Sequence, residues 1–497
     1  MALLLCAEVA NANGRFPRAQ RLVEDASDPA RLALYGTYGL MTSADAGQSW
    51  QYICEAATGP FAGEAPLLEL LPEGRLVLGS ETGLEGSAFP ACDWQGLLEP
   101  ELPNAVQDIA RSPEGDQALW ALISQPELNV GFHSALQYSS DGGEHWSTPE
   151  RLAAEFITRG VTIDVAPSRA QRLYLSGLSE LGVGVLVRSD DGAKSWQAFA
   201  LPDTSSSALP YIAAVDPNDA NRVYLRSDTL ELHEGELQPN DALFFSADGG
   251  QNVTRVFSRR AKLLGFALSP DAQTVVVGYG DPVLFSYTVE PEQVGLYRAR
   301  VADLGDPERA ATAFEKIFAG SVTCLRWTAQ GLYACLAQAE QGFELGLADD
   351  AEFSLDAVQP FAPLLDLRHV LPLECGAETS AKSCLTDPNS GWPFVCSKLS
   401  ADCSYGQSSS PVGGDAGQSS SNAGANAGGA TSLGGASPSG GAPDAVEEGD
   451  PEIATKLPSP RPASCGCRAQ PGPTALAWLP TCLLLTQIAR RRRRQTP

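Results

Sequence analysis

The chain has 497 residues and a formal net charge of −26, from 60 Asp and Glu against 34 Lys and Arg. So acidic a body repels phosphate backbones, which excludes nucleic acid as a partner, while 43% hydrophobic residues are ample for a buried core. The four histidines (His133, His145, His233 and His369) show no metal-ligand spacing, and no phosphate-cradling glycine loop or cofactor fingerprint occurs, so no metal or cofactor is expected.

Residues 1–12 (MALLLCAEVANA) hold a short leucine run and end on Ala10, Asn11 and Ala12, the small-x-small pattern of a signal-peptidase site. The run is short and lacks a basic flank, so it reads as a signal-peptide remnant and predicts an exported protein.

From residue 15 to 365 the sequence repeats itself. Ser43, Asp45, Gly47 and Trp50 form the pattern S-x-D-x-G-x-x-W, which returns at Ser139, Asp141, Gly143 and Trp146. Ser189, Asp191 and Trp196 keep it with Ala193 in the glycine place; Ser246, Asp248 and Gly250 keep it with Val253 in place of Trp. A worn copy runs from Ser87 to Trp94. In a hairpin turn, Ser and Asp side chains bond nearby backbone N–H groups, Gly supplies positive φ, and Trp packs back into the sheet. A second repeat lies between these turns. Residues 165–175 (VAPSRAQRLYL) align without gaps to 215–225 (VDPNDANRVYL), the first hairpin of a repeating unit.

The S-x-D-x-G-x-x-W pattern resembles the Asp-box, or BNR, repeat of the sialidase and sortilin-like superfamily. That resemblance implies a β-propeller in which each box joins the two outer strands of a blade, away from the ligand face. The predicted fold is therefore all-β, a propeller of seven blades within a range of six to eight, with blades starting near Arg21, Pro66, Ala105, Val161, Tyr211, Leu263 and Ser321. Residues 306–316 (DPERAATAFEK) predict a helical insertion in the sixth blade. In the seventh, strands 322–327 and 332–336 flank a short turn, a register that sets Cys324 opposite Cys335 for a cross-strand disulfide. By exclusion, Cys54 would pair with Cys92.

Residues 371–404 carry Cys375, Cys384, Cys396 and Cys403, without a C-x2-C pair. In an exported chain they read as two disulfides with three alternative pairings. Residues 405–462 are rich in Ser, Gly and Ala and predict a disordered linker. Residues 463–497 contain Cys465 and Cys467, an apolar stretch at 473–489, and five arginines at 490–494. A 17-residue helix is marginal for the membrane, yet the arginines mark its cytoplasmic side. This order resembles the MYXO-CTERM sorting tag of exported myxobacterial proteins, which implies processing at Cys465 or Cys467 and attachment to the cell surface.

Asp-box propellers include both enzymes and binders, so the site must decide. A sialidase needs an arginine triad, and its first motif is matched only by Arg15, Phe16 and Pro17, ahead of the first blade. Arg326 falls on an expected inner strand open to the channel, where a lone arginine reads as a salt-bridge partner. An inverting glycosidase needs two opposed carboxylates; Asp164 and Asp216 fall near inner strands, but Asp216 belongs to a turn. These residues assemble no catalytic site. The expected function is a non-catalytic binding or scaffold module for an extracellular protein or glycan, held at the membrane by its tag. The alternatives are a sialidase-like or xyloglucanase-like glycoside hydrolase and a purely structural surface-layer component.

Overall fold

A computed structural model describes residues 18–58, 66–80, 83–98, 105–127, 131–281, 289–376, 379–385 and 391–399, all within the first of two units, residues 1–412. Here the strands form successive four-stranded antiparallel meanders at 19–54, 68–98, 105–151, 159–205, 208–259, 262–318 and 322–365. The fourth and fifth meet edge to edge through the single pair Ser205 and Ala208. The first strands are Ala19–Asp25, Leu68–Leu71, Ala105–Arg111, Arg159–Val165, Ala208–Val215, Lys262–Leu268 and Val322–Thr328. They begin within three residues of the starts read from the repeats. The helix Pro307–Ala313 sits between the last two strands of the sixth meander, its first turn capped by the Asp306 side chain.

Burial follows strand order. Second strands such as Leu173–Leu178 and Gly331–Leu336 are buried at every position, so they read as continuous apolar runs; the fourth strand Gln197–Ser205 is largely exposed. The buried side chains gather into six clusters rather than one core. Each lies between neighbouring sheets, and one joins the first sheet to both the second and the seventh. Face-to-face packing that returns to its start is a β-propeller. Closure uses Thr323 Oγ1, which donates to Ala19 O at 2.7 Å, and Ala19 N, which donates to the Glu344 carboxylate.

The box turns follow the third strand of their meanders. In the four clearest, the Ser Oγ donates to the Asp carboxylate at 2.8–2.9 Å and accepts from the backbone N–H four residues on at 2.9–3.0 Å. The Asp accepts the N–H of the residue four further on, at 2.9 Å each time. Positive φ falls at Gly47 (88°), Gly143 (90°), Ala193 (70°) and Gly250 (94°). In the worn copy Trp94 Nε1 still donates to Ala91 O, as Trp50 Nε1 does to Gly47 O. The tryptophans pack between their own sheet and the preceding one. Trp50 also donates to Leu364 O of the seventh sheet, and Trp146 and Trp196 join the clusters shared with the preceding sheet. A turn at the outer edge thus helps bury the seam between neighbouring sheets.

The cysteine pairing corrects two expectations. Cys324 and Cys335 are opposite and bonded, as their register dictates. Cys54, however, bonds Cys384, and Cys92 bonds Cys375, so neither the Cys54–Cys92 bridge nor a self-contained 371–404 segment forms. The segment folds back: Leu371–Pro372 pairs in parallel with the outer strand Gln51–Cys54, and Trp392 packs on Tyr52 with ring centroids 5.6 Å apart. Pairing by exclusion, and by close spacing within 371–404, failed because strand pairing brings 371–372 beside the first sheet. Cys396 is also disulfide-bonded. The leader at 1–12, Arg15 to Pro17, Cys403, the linker, Cys465, Cys467, the apolar stretch 473–489 and the arginines 490–494 lie outside the described residues. Among the described residues no helix is long and apolar enough to cross a membrane.

Candidate functional site

The first strands surround a channel. One cavity of about 330 Å³ is lined by residues from the start of all seven meanders, which requires a radial arrangement. A second, of about 470 Å³, is lined by residues of six of these sheets, including Arg111 and Asp164 from later in the third and fourth first strands. In the third and fourth meanders, where the lining advances from Gln107 to Arg111 and from Val161 to Val165, the first strand therefore runs from the first cavity towards the second. In the fourth meander the connection between the second and third strands then lies at the end of the first cavity and the box turn at the other. The two cavities share Arg21, Glu69, Asp108, Ile212, Ala213 and Arg326 as a waist.

Arg21, Glu69 and Asp108 of the waist are bonded to their neighbours. Arg21 Nη2 meets Glu69 Oε1 at 2.8 Å, and its Nε donates to Leu68 O at 3.0 Å, linking the first sheet to the second. Arg326 does face the channel; burial pulls its pKa below the ordinary value, opposed by Glu69 and Glu24. Arg226 stacks over Tyr211, its guanidinium carbon 4.4 Å from the ring centroid.

The channel aspartates are tethers. Asp108 accepts Ile109 N–H on its own strand and Ile163 N–H on the next sheet, both at 2.9 Å. Asp164 accepts Val165 N–H at 2.8 Å and Val215 N–H of the following sheet at 3.2 Å. Burial pushes each carboxyl up to about 7, against these backbone bonds, which pull it down. The same device recurs away from the channel: Asp241 accepts Thr229 N–H and, from the sixth sheet, Leu263 N–H at 2.9 Å. Glu344 ties the seventh sheet to the first. Both are also pushed up to about 7 by burial.

Asp216 is not at the channel. It caps its turn, accepting Asn218 N–H at 2.8 Å and facing Arg222 at 3.4 Å, as Asp25 caps Ser27 and faces Arg31. His145 sits in its box with Nδ1 2.7 Å from Asp141 Oδ2. Among the described residues no group of three or more His, Cys, Asp or Glu could hold a metal ion. Sequence reasoning missed Arg21, Glu69 and Asp108. The signal that could have found them was a charged residue inside a first strand, as Asp108 is in AVQDIAR.

No protein-family model and no curated protein matches this sequence. Among solved structures, an ancestral GH74 enzyme is similar at 16% identity and a TM-score of 0.46, over 64% of this chain and 43% of that one. A Hadza microbial sialidase is similar at 12% identity and a TM-score of 0.37, over 61% and 70%. YCF48 from Cyanidioschyzon merolae is similar at 12% identity and a TM-score of 0.37, over 71% and 88%. This chain thus spans less than half the length of the first of these proteins.

Proposed function

We propose that the chain is an exported, seven-bladed β-propeller displayed at the cell surface as a non-catalytic binding or scaffold module for a protein or glycan. The occupied state of the channel carboxylates supports this reading most directly. Glu69 is paired with Arg21, and both oxygens of Asp108 and of Asp164 accept backbone N–H bonds that hold neighbouring sheets together. A glycosidase needs one carboxyl to give up a proton and another to activate water or attack sugar. Groups committed to inter-sheet bonds perform neither task without loosening the ring. Export and display rest on the leader remnant, the arginine-terminated apolar stretch and the tag resemblance.

Incubating the purified full chain with a fluorogenic sialoside and with xyloglucan is expected to give no turnover above blank. Turnover that disappears in Asp108→Asn or Asp164→Asn would overturn the non-catalytic reading. Display predicts that protease added to intact cells degrades the propeller; full protection would remove the surface assignment.

A further inference from the structure

The seams between successive sheets differ in how their box end is filled. The third, fourth and fifth meanders align residue by residue there, because the backbone N–H groups of Gly142, Gly192 and Gly249 bond the carbonyls of Gln117, Gln171 and Asn221 in turn, at 2.8–3.0 Å. Three residues beyond each carbonyl stand Trp120, Tyr174 and Tyr224 on the second strand, paired across to Tyr138, Arg188 and Phe245 on the third. Between the fourth and fifth sheets this end is closed. Tyr174 Oη donates to Ala220 O at 2.7 Å, Arg172 Nη1 to Asn221 Oδ1 at 2.7 Å and Arg188 Nη1 to Gly249 O at 2.8 Å. A Cβ placed on Gly249 would meet Arg188 and Tyr174, and one on Gly142 would meet Gln117 and Arg75. One on Gly192 would meet nothing within 4 Å.

The seam between the third and fourth sheets lacks both arginines. Ala118 stands where the next sheet has Arg172, and Tyr138 where it has Arg188. The result is a cleft of about 350 Å³, within the size range of small-ligand sites. Its aromatic wall is Trp120 and Tyr138, with ring centroids 5.0 Å apart and planes tilted by 52°. Both are half-buried, whereas Tyr174 and Tyr224 are fully buried. Glu114, Glu150, Gln171 and Lys194 form an exposed rim. Among the described residues, neither these four side chains nor Trp120 Nε1 and Tyr138 Oη make a hydrogen bond or ion pair. Asp191 also lines the cleft, but both its carboxylate oxygens are committed within its own box.

Half-open aromatic rings offer an apolar face, and the groups around them offer unspent donors and acceptors of both kinds. A purely apolar ligand would strand those polar groups. A small anion would face Glu114 and Glu150; a cation would lie beside Lys194 and accept nothing from the Trp120 and Tyr138 donors. A pyranose ring meets both demands, since its axial C–H groups form an apolar face and its hydroxyls, each a donor and an acceptor, line the edge. We propose that this cleft binds a sugar unit of a glycan, stacked on Trp120 and Tyr138 with its hydroxyls held by Glu114, Glu150, Gln171 and Lys194. The cleft shares no lining residue with the channel cavities, so the site is separate from the channel. This names the ligand class of the binding-module reading and rests on it. Failure of the sugar site leaves that reading standing with a protein ligand, whereas glycoside turnover overturns the reading whatever the cleft binds.

The test is native affinity electrophoresis of the full chain through gels containing soluble β-glucan, mannan, xylan or galactan. At least one polysaccharide is expected to retard the native chain. Tyr138→Arg restores the arginine of the next seam and fills the cleft; its apparent Kd should rise about tenfold or more, with the thermal midpoint unchanged or raised. Trp120→Ala is expected to weaken binding by as much. Gln171→Ala with Lys194→Ala alters exposed side chains only. That pair is expected to weaken binding roughly threefold at an unchanged thermal midpoint, which separates lost binding from lost folding. Retardation by none of the four polysaccharides, or equal retardation of the native chain and Tyr138→Arg, would overturn the proposal. So would a tetramethylammonium titration that changes tryptophan emission in the native chain but not in Trp120→Phe, which would make the cleft a cation site.

Discussion

Ala193 shows how tightly the box turn holds its backbone. It stands where three other boxes have glycine, yet its φ is 70°, and its N–H still reaches Ser189 Oγ at 3.0 Å. A side chain in this region costs energy that glycine does not, although glycine also frees the unfolded chain. Ala193→Gly is expected to stabilise the protein by about 0.5–1 kcal/mol, read as a shift in the urea midpoint at unchanged slope. The box aspartates bear on pH. The His145 N–H bond to Asp141, and the Ser195 bonds to Asp191, hold these carboxyls down at about 2. Their contribution is complete above the unfolded pKa of about 4 and is lost as pH falls through about 2. Asp141→Ala should therefore lower the thermal midpoint at pH 7 and make little difference near the acid limit.

At the level of elements, the returning C-terminal segment decides how the first two sheets are held. The outer strand of a sheet is an open edge; here Leu371–Pro372 covers part of the first one, and disulfides to Cys54 and Cys92 fasten the segment in place. These bonds close separations of 330 and 283 residues, long enough to restrict the unfolded chain strongly. Cys92→Ser with Cys375→Ser is expected to cost roughly 2–5 kcal/mol in guanidinium unfolding. Cys324→Ser with Cys335→Ser, which opens only an 11-residue separation, should cost less. Equal losses would mean that loop closure is not what these bridges contribute.

Over the whole molecule, the sheets are tied by buried acids. Asp108, Asp164, Asp241 and Glu344 each accept a backbone N–H from a neighbouring sheet, and burial pushes all four up to about 7. Between about pH 4 and 7 the folded chain keeps protons that the unfolded chain has released, so stability falls as pH rises across that window. The box aspartates act in the opposite sense below about 4. The thermal midpoint is expected to peak at mildly acidic pH and decline towards 8; a steady rise from 4 to 8 would refute the assignment. Glu344→Gln loses an acceptor and should be less stable at pH 5, with the gap narrowing by pH 8.

The repeat spacing and the register of one hairpin were legible because both are local. The side chains of Ser43, Asp45 and Trp50 act within eight residues, and Cys324 meets Cys335 across a short turn. Periodicity then implied a propeller, since units that expose apolar faces at a fixed interval bury them only against one another. What reaches between sheets was decided by tertiary structure alone. Asp108 to Ile163, Trp50 to Leu364, Cys92 to Cys375 and the Arg21–Glu69 waist join residues whose separation in sequence carries no information about distance. Closing the ring sets those distances, and so determines which carboxylates become tethers and which seam is left open.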